Sequence, residues 1–92
     1  MFYLICYDIV DDSRRYKVSK LLETYGLRVQ KSVFEAVLDE KQYENIQKRL
    51  FKILNSKEDQ LRFYPLSDPC RCKVAVLGIK PDFAVDDAAF IV

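Results

Sequence analysis

Residues Gln30–Asp39, with the sequence QKSVFEAVLD, decide the fold of this chain. The stretch has strand propensity over roughly nine or ten residues, and no glycine or proline interrupts it. If it forms one long strand, the element order is β-α-β-α-β-β, and if it forms a bent pair of strands, the order is β-α-β-β-α-β. Under either count, two helices cover one face of a largely antiparallel sheet, which is the ferredoxin-like α+β sandwich.

A strand and a helix precede this stretch. The first strand, Phe2–Val10, is apolar at both odd and even positions, which is typical of a strand covered on both faces. Residue types that cap helices follow it, namely Asp11, Asp12 and Ser13. Behind them, apolar residues recur at helical spacing, namely Val18, Leu21, Leu22 and Tyr25. We expect Gly26 to end this helix as its C-terminal cap, and Gln30–Val37 to form the second strand.

A second helix and two further strands follow. Asp39 with Gln42 fits a capping box, which predicts a helix start. The apolar face of that helix comprises Tyr43, Ile46, Leu50, Phe51 and Leu54. The segments Gln60–Leu66 and Lys73–Ile79 have the composition of a third and a fourth strand.

The chain of 92 residues has room for one core. We expect residues 1–79 to form the ferredoxin-like domain and residues 80–92 to form a polar linker ending in the strand-forming sequence AFIV. That sequence is suited to pair with an exposed strand edge, and we expect the edge to belong to the partner protomer. Two helices cannot cover both faces of the sheet, so the uncovered face predicts a homodimer.

Composition excludes several classes of site. The chain has no histidine, which rules out His-dependent triads and His-ligated zinc. The chain has three cysteines, an odd number, which argues against a disulfide framework and favours a location in the reducing cytoplasm. Cys70 and Cys72 could form half of a soft-metal site, but they are better explained as buried or loop thiols. We expect no membrane partner, because no leader and no apolar run of spanning length is present.

The stretch Tyr7–Arg15, YDIVDDSRR, is where the sequence points to chemistry. Asp8 near the end of an apolar strand either caps the following turn or binds a cation. Net charge is only +1, yet basic residues dominate between Arg14 and Lys31, against the single acid Glu23. This distribution indicates either a solvated helix face or a surface for phosphates. One of Arg14 and Arg15 is expected to pair with Asp11 or Asp12, which would leave the other free.

The sequence resembles the CRISPR-associated protein two family. The resemblance rests on linked motifs in family order: a strand ending in Tyr-Asp-Ile, an acid–x–x–Arg helix start, a Tyr-Gly helix end, "RVQKSVFE" and "LRFYPL". These motifs extend over roughly the first two-thirds of the chain. Beyond Leu66 only the general strand–linker–strand form is shared.

The resemblance implies a homodimer in which two copies of Asp8 face each other and bind Mg²⁺ or Mn²⁺ as catalytic metal ligands. It implies a metal-dependent endonuclease acting on RNA or DNA, and a scaffold that binds a larger CRISPR integrase subunit. Duplex DNA and single-stranded RNA are the expected nucleic acids. The expected contacts to nucleic acid are Arg14, Arg15, Lys17, Arg28 and Lys31. A non-catalytic DNA-binding dimer and a toxin-like endoribonuclease of the same fold remain the alternatives.

Overall fold

A computed structural model of the chain describes residues 1–79 and 90–91. The linker predicted at residues 80–87 lies outside them. The elements, in chain order, are β1 (Phe2–Asp8), α1 (Asp12–Glu23), β2 (Gly26–Gln30), β3 (Val33–Val37), α2 (Glu40–Ile53), β4 (Gln60–Leu66), α3 (Asp68–Arg71), β5 (Ala75–Val76) and β6 (Phe90–Ile91).

The deciding stretch Gln30–Asp39 contributes to a pair of strands, so the first six elements follow the order β-α-β-β-α-β. The start predicted for the strand Gln30–Val37 is wrong. Lys31 and Ser32 form a turn, β3 begins at Val33, and Gln30 is the last residue of β2. The register between the two strands shifts between Arg28 and Gln30, so a bulge accompanies this tight connection.

Gly26 does not cap α1, contrary to the sequence-based expectation. The cap is Thr24, whose backbone N–H donates to the carbonyls of Leu21 and Leu22, and Gly26 is the first residue of β2. A Cβ atom at Gly26 would lie 2.2 Å from the carbonyl oxygen of Glu35 in β3. Glycine is therefore required by the close approach of two strands rather than by a helix end.

The main sheet has four strands in the order β2-β3-β1-β4, and every neighbouring pair is antiparallel. One face of the sheet packs against α1 and α2, which confirms the two-layer α+β prediction. The core between these layers contains fully buried side chains from both, among them Ile5, Val18, Leu22, Phe34, Ile46 and Leu50. The capping box at Asp39 and Gln42 is present as predicted.

The opposite face of the sheet carries the even-numbered residues of β1, which end at Asp8. Neither α1 nor α2 covers this face, and Leu4 and Cys6 on it are only partly buried. At the far end of β1 the guanidinium of Arg71 in α3 lies over the ring of Phe2, 4.9 Å from its centroid. The end of the face that carries Asp8 is therefore left open.

Three local features differ from the sequence-based expectations. Phe51, assigned to the apolar face of the second helix, is 79% exposed, because the core side of α2 is formed by Ile46 and Leu50. The fourth strand is confined to Ala75–Val76, and the helix α3 before it was not predicted. Cys70 lies in α3, and Cys72 is the C-terminal cap of α3. Both are exposed free thiols.

The terminal strand β6 pairs in parallel with β5 of the same chain, with Phe90 opposite Ala75 and Ile91 opposite Val76. Exchange of the C-terminal strand between protomers stays a prediction. None of the helices in the described part of the chain has the length and apolarity that crossing a bilayer requires.

Candidate metal and nucleic-acid site

Asp8 is the last residue of β1 and is exposed at the open end of the sheet. It pairs with Gln60, the first residue of β4. Its carboxylate lines a cavity of about 290 Å³ together with Cys6, Tyr7, Gln60, Arg62 and Tyr64. No side-chain hydrogen bond or ion pair engages this carboxylate within residues 1–79. Asp8 therefore does not act as a cap, and its charge is available to a ligand.

The two acids that follow Asp8 serve the helix. Asp11 is the N-terminal cap of α1, and its carboxylate accepts from the backbone N–H of Arg14 at 2.9 Å. Asp12 forms an ion pair with Arg15 one turn along the helix. The prediction that Asp11 caps the helix is therefore confirmed. The prediction that one of the two arginines pairs with Asp11 or Asp12 is also confirmed, by the ion pair of Arg15 with Asp12.

One of the two arginines was expected to be free, and this expectation is wrong, because Arg14 is paired as well. Its Nε lies 2.7 Å from Oδ2 of Asp59, and its Nη2 lies 2.9 Å from Oε2 of Glu58. The side chain of Asp59 is fully buried and also accepts from the backbone N–H groups of Val10 and Asn55. Arg14 therefore joins the start of α1 to the loop before β4, and fewer of its donors remain for a phosphate.

Acid titration of the protein should reveal the Asp59 contact. Hydrogen bonds from Arg14 hold the pKa of the Asp59 carboxyl at about 2, below its ordinary value of 3.8. The stabilisation by this carboxylate is complete above the ordinary value and is lost as pH falls through the folded-state value. We expect the midpoint of urea unfolding to decrease between pH 4 and pH 2, and this decrease to be smaller in Asp59→Asn. An equally steep decrease in the variant would contradict the assignment.

Three of the predicted nucleic-acid residues come together. Arg15, Arg28 and Lys31 line a cavity of about 210 Å³ between α1 and the β2–β3 turn, with Tyr7, Asp12, Tyr16 and Ser19. The guanidinium of Arg28 lies 5.1 Å from the ring centroid of Phe34, and its Nη1 donates to the Lys31 carbonyl at 3.0 Å. These contacts hold Arg28 in place. We call this group the basic cavity.

Lys17 is not part of the basic cavity. It lies in a separate groove of about 610 Å³ between the two long helices, where Tyr16, Lys20, Arg49 and Lys52 also lie. The two cations of α2, Arg49 and Lys52, were missed by the sequence analysis. Their spacing of three residues indicates that they share one face of α2. The spacing does not indicate which side of α1 this face packs against.

Tyr7 borders both the Asp8 cavity and the basic cavity. The ring of Tyr7 packs on that of Phe34, with 6.3 Å between the centroids, and both residues are buried. Since Tyr7 directly precedes Asp8, the open carboxylate and the three cations lie at the same end of β1. The fold thus places an anionic site on the open face and a cationic site on the helix side at the same end of β1.

The side of the Asp8 cavity that β4 forms was not predicted from the sequence. Gln60, Arg62 and Tyr64 alternate along the strand and therefore share its open face with Asp8. Tyr64 is 43% exposed on this face. The alternation in "QLRFYPL" was visible in the sequence, whereas the pairing of β4 with β1 depends on the tertiary fold.

The donor set at Asp8 fits half of a hard-cation site. Carboxylate and amide oxygens are ligands that Mg²⁺ and Mn²⁺ accept, and Asp8 and Gln60 supply one of each on paired strand positions. Within the described residues, no three Asp, Glu or Cys side chains come together as a metal centre. The described residues of one copy therefore offer too few charged ligands for a closed site, and a second copy would double them.

Comparison with known protein families gives a match over residues 1–74 to the family described as CRISPR associated protein Cas2. A CRISPR-associated endoribonuclease Cas2 of Synechocystis is 53% identical over 79 residues, which cover 86% of both chains. A CRISPR-associated endonuclease Cas2 of Thermus thermophilus is 46% identical over 79 residues, covering 86% of this chain and 83% of that one.

Solved structures agree with these matches. The crystal structure of Streptococcus pyogenes Cas2 is 36% identical, with a TM-score of 0.76, and the alignment covers 85% of this chain and 100% of that chain. A chain of a partial Cas6-RT-Cas1–Cas2 complex is 37% identical, with a TM-score of 0.71, and the alignment covers 78% of this chain and 79% of that chain.

Proposed function

This chain belongs to the Cas2 family of CRISPR-associated proteins, and on that basis we propose that it is a dimeric adaptation protein with metal-dependent endonuclease activity. The observation that carries the proposal is the unpaired carboxylate of Asp8 at the end of β1 where the basic cavity also lies. A cation held by Asp8 and a phosphodiester backbone held by the basic cavity would meet at this end of the sheet. Single-stranded RNA and duplex DNA are the candidate substrates, and relatives are named both endoribonucleases and endonucleases.

The proposed dimer completes the half-site at Asp8. The open face of the sheet carries partly buried apolar side chains as well as Asp8, and a second copy packed on this face would bury them. If the two-fold axis brings two Asp8 carboxylates to about 5 Å, they repel by roughly 3 kcal/mol at an effective dielectric of 20. A shared Mg²⁺ or Mn²⁺ would remove that repulsion, because it adds positive charge between them.

In the proposed reaction each residue has a limited task. When bound, the divalent cation supplies Lewis acidity and lowers the pKa of a water molecule. Asp8 holds the cation through its carboxylate, and Gln60 adds an amide oxygen from the paired strand position. Arg15, Arg28 and Lys31 bind backbone phosphates, since guanidinium and ammonium groups match phosphate oxygens in charge and geometry. Arg14 and Lys17 stay predicted contacts at the edges of this surface.

A scaffolding role in adaptation is supported by the structural similarity to a chain in a complex that contains Cas1 and Cas2. We propose the larger integrase subunit, Cas1, as the partner of this chain. Such a role needs the dimer and backbone binding but does not need catalysis. The two parts of the proposal can therefore be tested separately.

Binding and cleavage by the purified chain test the proposal. We expect cleavage of a labelled single-stranded RNA or duplex DNA with Mg²⁺ or Mn²⁺, and none in excess EDTA. Replacing Arg28 and Lys31 together by Gln should weaken duplex binding about tenfold and reduce the salt slope of log K by about two, because two phosphate contacts are lost.

The matched control for this double variant is Lys41→Gln, which removes an exposed charge at the start of α2. Its affinity and salt slope should stay at wild-type values. Cleavage that persists in EDTA would contradict the proposed metal dependence. An unchanged salt slope of log K in the double variant would show that the basic cavity does not bind phosphates.

A further inference from the structure

Arg62 and Tyr64 of β4 have no role in the site as described so far, although both line the Asp8 cavity. They lie on the same strand face, and Nη1 of Arg62 donates a hydrogen bond to the Tyr64 hydroxyl at 3.0 Å. This bond raises the pKa of the Arg62 guanidinium above its ordinary value. The cation is thus held in one orientation on an exposed strand, where an arginine without a partner would sample many rotamers.

Most donors of Arg62 remain available. A guanidinium has five N–H donors, and the bond to Tyr64 uses one of them. Among residues 1–79, no carboxylate lies within ion-pair distance of Arg62, so no acid in this part of the chain neutralises its charge. The remaining donors can bind an oxyanion in the bidentate manner that guanidinium favours.

The position of Arg62 relative to Asp8 follows from the strand register. Asp8 lies opposite Gln60, and Arg62 lies opposite Cys6, so Asp8 and Arg62 are diagonal neighbours on one face. Such neighbours are about 7–8 Å apart in an antiparallel pair. The two side chains share a cavity of about 290 Å³ without forming an ion pair. The gap between them therefore has room for a group that is attracted to both, such as a cation with its phosphate.

We propose that Arg62 binds the non-bridging oxygens of the scissile phosphate beside Asp8, and that Tyr64 is the positioning residue for its guanidinium. This inference rests on the proposed nuclease function. It identifies Arg62 on β4 as the positively charged side chain that binds the substrate at the reaction site, and Arg62 is distinct from the basic cavity on the helix side. Asp8 attracts the metal, and Arg62 attracts the anion that the metal acts on. A fixed donor aimed at the developing charge lowers the barrier more than it strengthens ground-state binding.

The experiment compares Arg62→Gln, Arg62→Lys and Tyr64→Phe with the control Lys41→Gln, which removes an exposed cation of α2 that lies in none of these cavities. Steady-state cleavage of a labelled oligonucleotide should show kcat about 100-fold lower in Arg62→Gln, with KM changed less than threefold. Arg62→Lys should recover part of this loss, since it keeps the charge without the fork of donors. Tyr64→Phe should lower kcat by about tenfold or less, because it keeps the ring and removes the acceptor. Lys41→Gln should leave kcat unchanged.

Failure of the inference is distinguishable from failure of the proposed function. If the wild-type chain cleaves and Arg62→Gln and Arg62→Lys both keep wild-type kcat, Arg62 does not bind the scissile phosphate. If the wild-type chain cleaves neither substrate, the nuclease proposal fails, and the salt slope of binding then tests Arg62. A slope reduced by about one in folded Arg62→Gln supports the phosphate contact, and an unchanged slope overturns it.

Discussion

Replacing Asp8 by Asn should reduce metal-dependent cleavage by at least about a thousandfold, because it removes the charged ligand of the proposed cation site. Asn keeps the shape of the side chain, and the exposed position carries no structural bond. We therefore expect the melting temperature to change little. Binding of duplex DNA should be unchanged or slightly tighter, because a negative charge near the phosphates has been removed. Initial cleavage rates at saturating Mn²⁺ measure the loss.

Mixing wild-type and Asp8→Asn chains tests whether the site is shared. If one site needs both copies of Asp8, activity should fall as the square of the wild-type fraction after subunit exchange. A linear decrease would show that each protomer works alone. In EDTA, the Asp8→Asn dimer lacks the repulsion of about 3 kcal/mol between the two Asp8 carboxylates of the wild-type dimer. Its dissociation constant should therefore be about a hundredfold lower than that of the wild-type dimer. Sedimentation at decreasing protein concentrations measures both constants.

The matched control is Asp68→Asn, which makes the same change at an exposed carboxylate at the start of α3. It should leave cleavage and dimerisation at wild-type values. Cleavage by Asp8→Asn at the wild-type rate would remove Asp8 from the catalytic proposal, while the scaffolding role would still stand.

Replacing Gly26 by Ala should strongly destabilise the sheet. The added Cβ would lie 2.2 Å from the Glu35 carbonyl oxygen and 2.8 Å from the Cβ of Ala36. Backbone cannot move aside as a side chain does, so β2 and β3 must separate and lose hydrogen bonds. We expect a loss of about 3 kcal/mol in the free energy of unfolding. For a domain of this size, that loss lowers the melting temperature by on the order of 15 °C.

A second substitution identifies the atoms responsible. Ala36→Gly removes the side-chain contact and leaves the backbone contact with Glu35 in place. The double variant should therefore be no more stable than Gly26→Ala alone in calorimetry. Recovery of wild-type stability in the double variant would show that the backbone contact is not the cause.

Local patterns in the sequence were sufficient for the layers of the fold. The spacing of Val18, Leu21 and Leu22 predicted α1, and Asp39 with Gln42 predicted the start of α2. The bounds of β4 were predicted to the residue. These features depend on contacts between residues that are close in the chain, so a short window contains the information. The core they form is confirmed by the structure.

The predictions that failed depended on neighbours distant in sequence. Gly26 has the residue type of a helix cap, and only the approach of Glu35 shows that it opens a strand. One of Arg14 and Arg15 was expected to be free, and the local sequence does not show that Arg14 is paired, because its partners, Glu58 and Asp59, lie more than forty residues away. Propensity and capping rules do not include such contacts, since their energies arise only once the chain has closed its loops.

The candidate site shows the same division. The sequence by itself identified Asp8, an acid at the end of an apolar strand, and a basic segment with Arg15, Arg28 and Lys31. Only the tertiary structure decided that these three cations share one cavity, and that Arg62 faces Asp8 from β4. The physical reason is strand register. Antiparallel pairing of β1 with β4 sets which side chains meet, and pairing is fixed by packing across the whole sheet rather than by either strand alone.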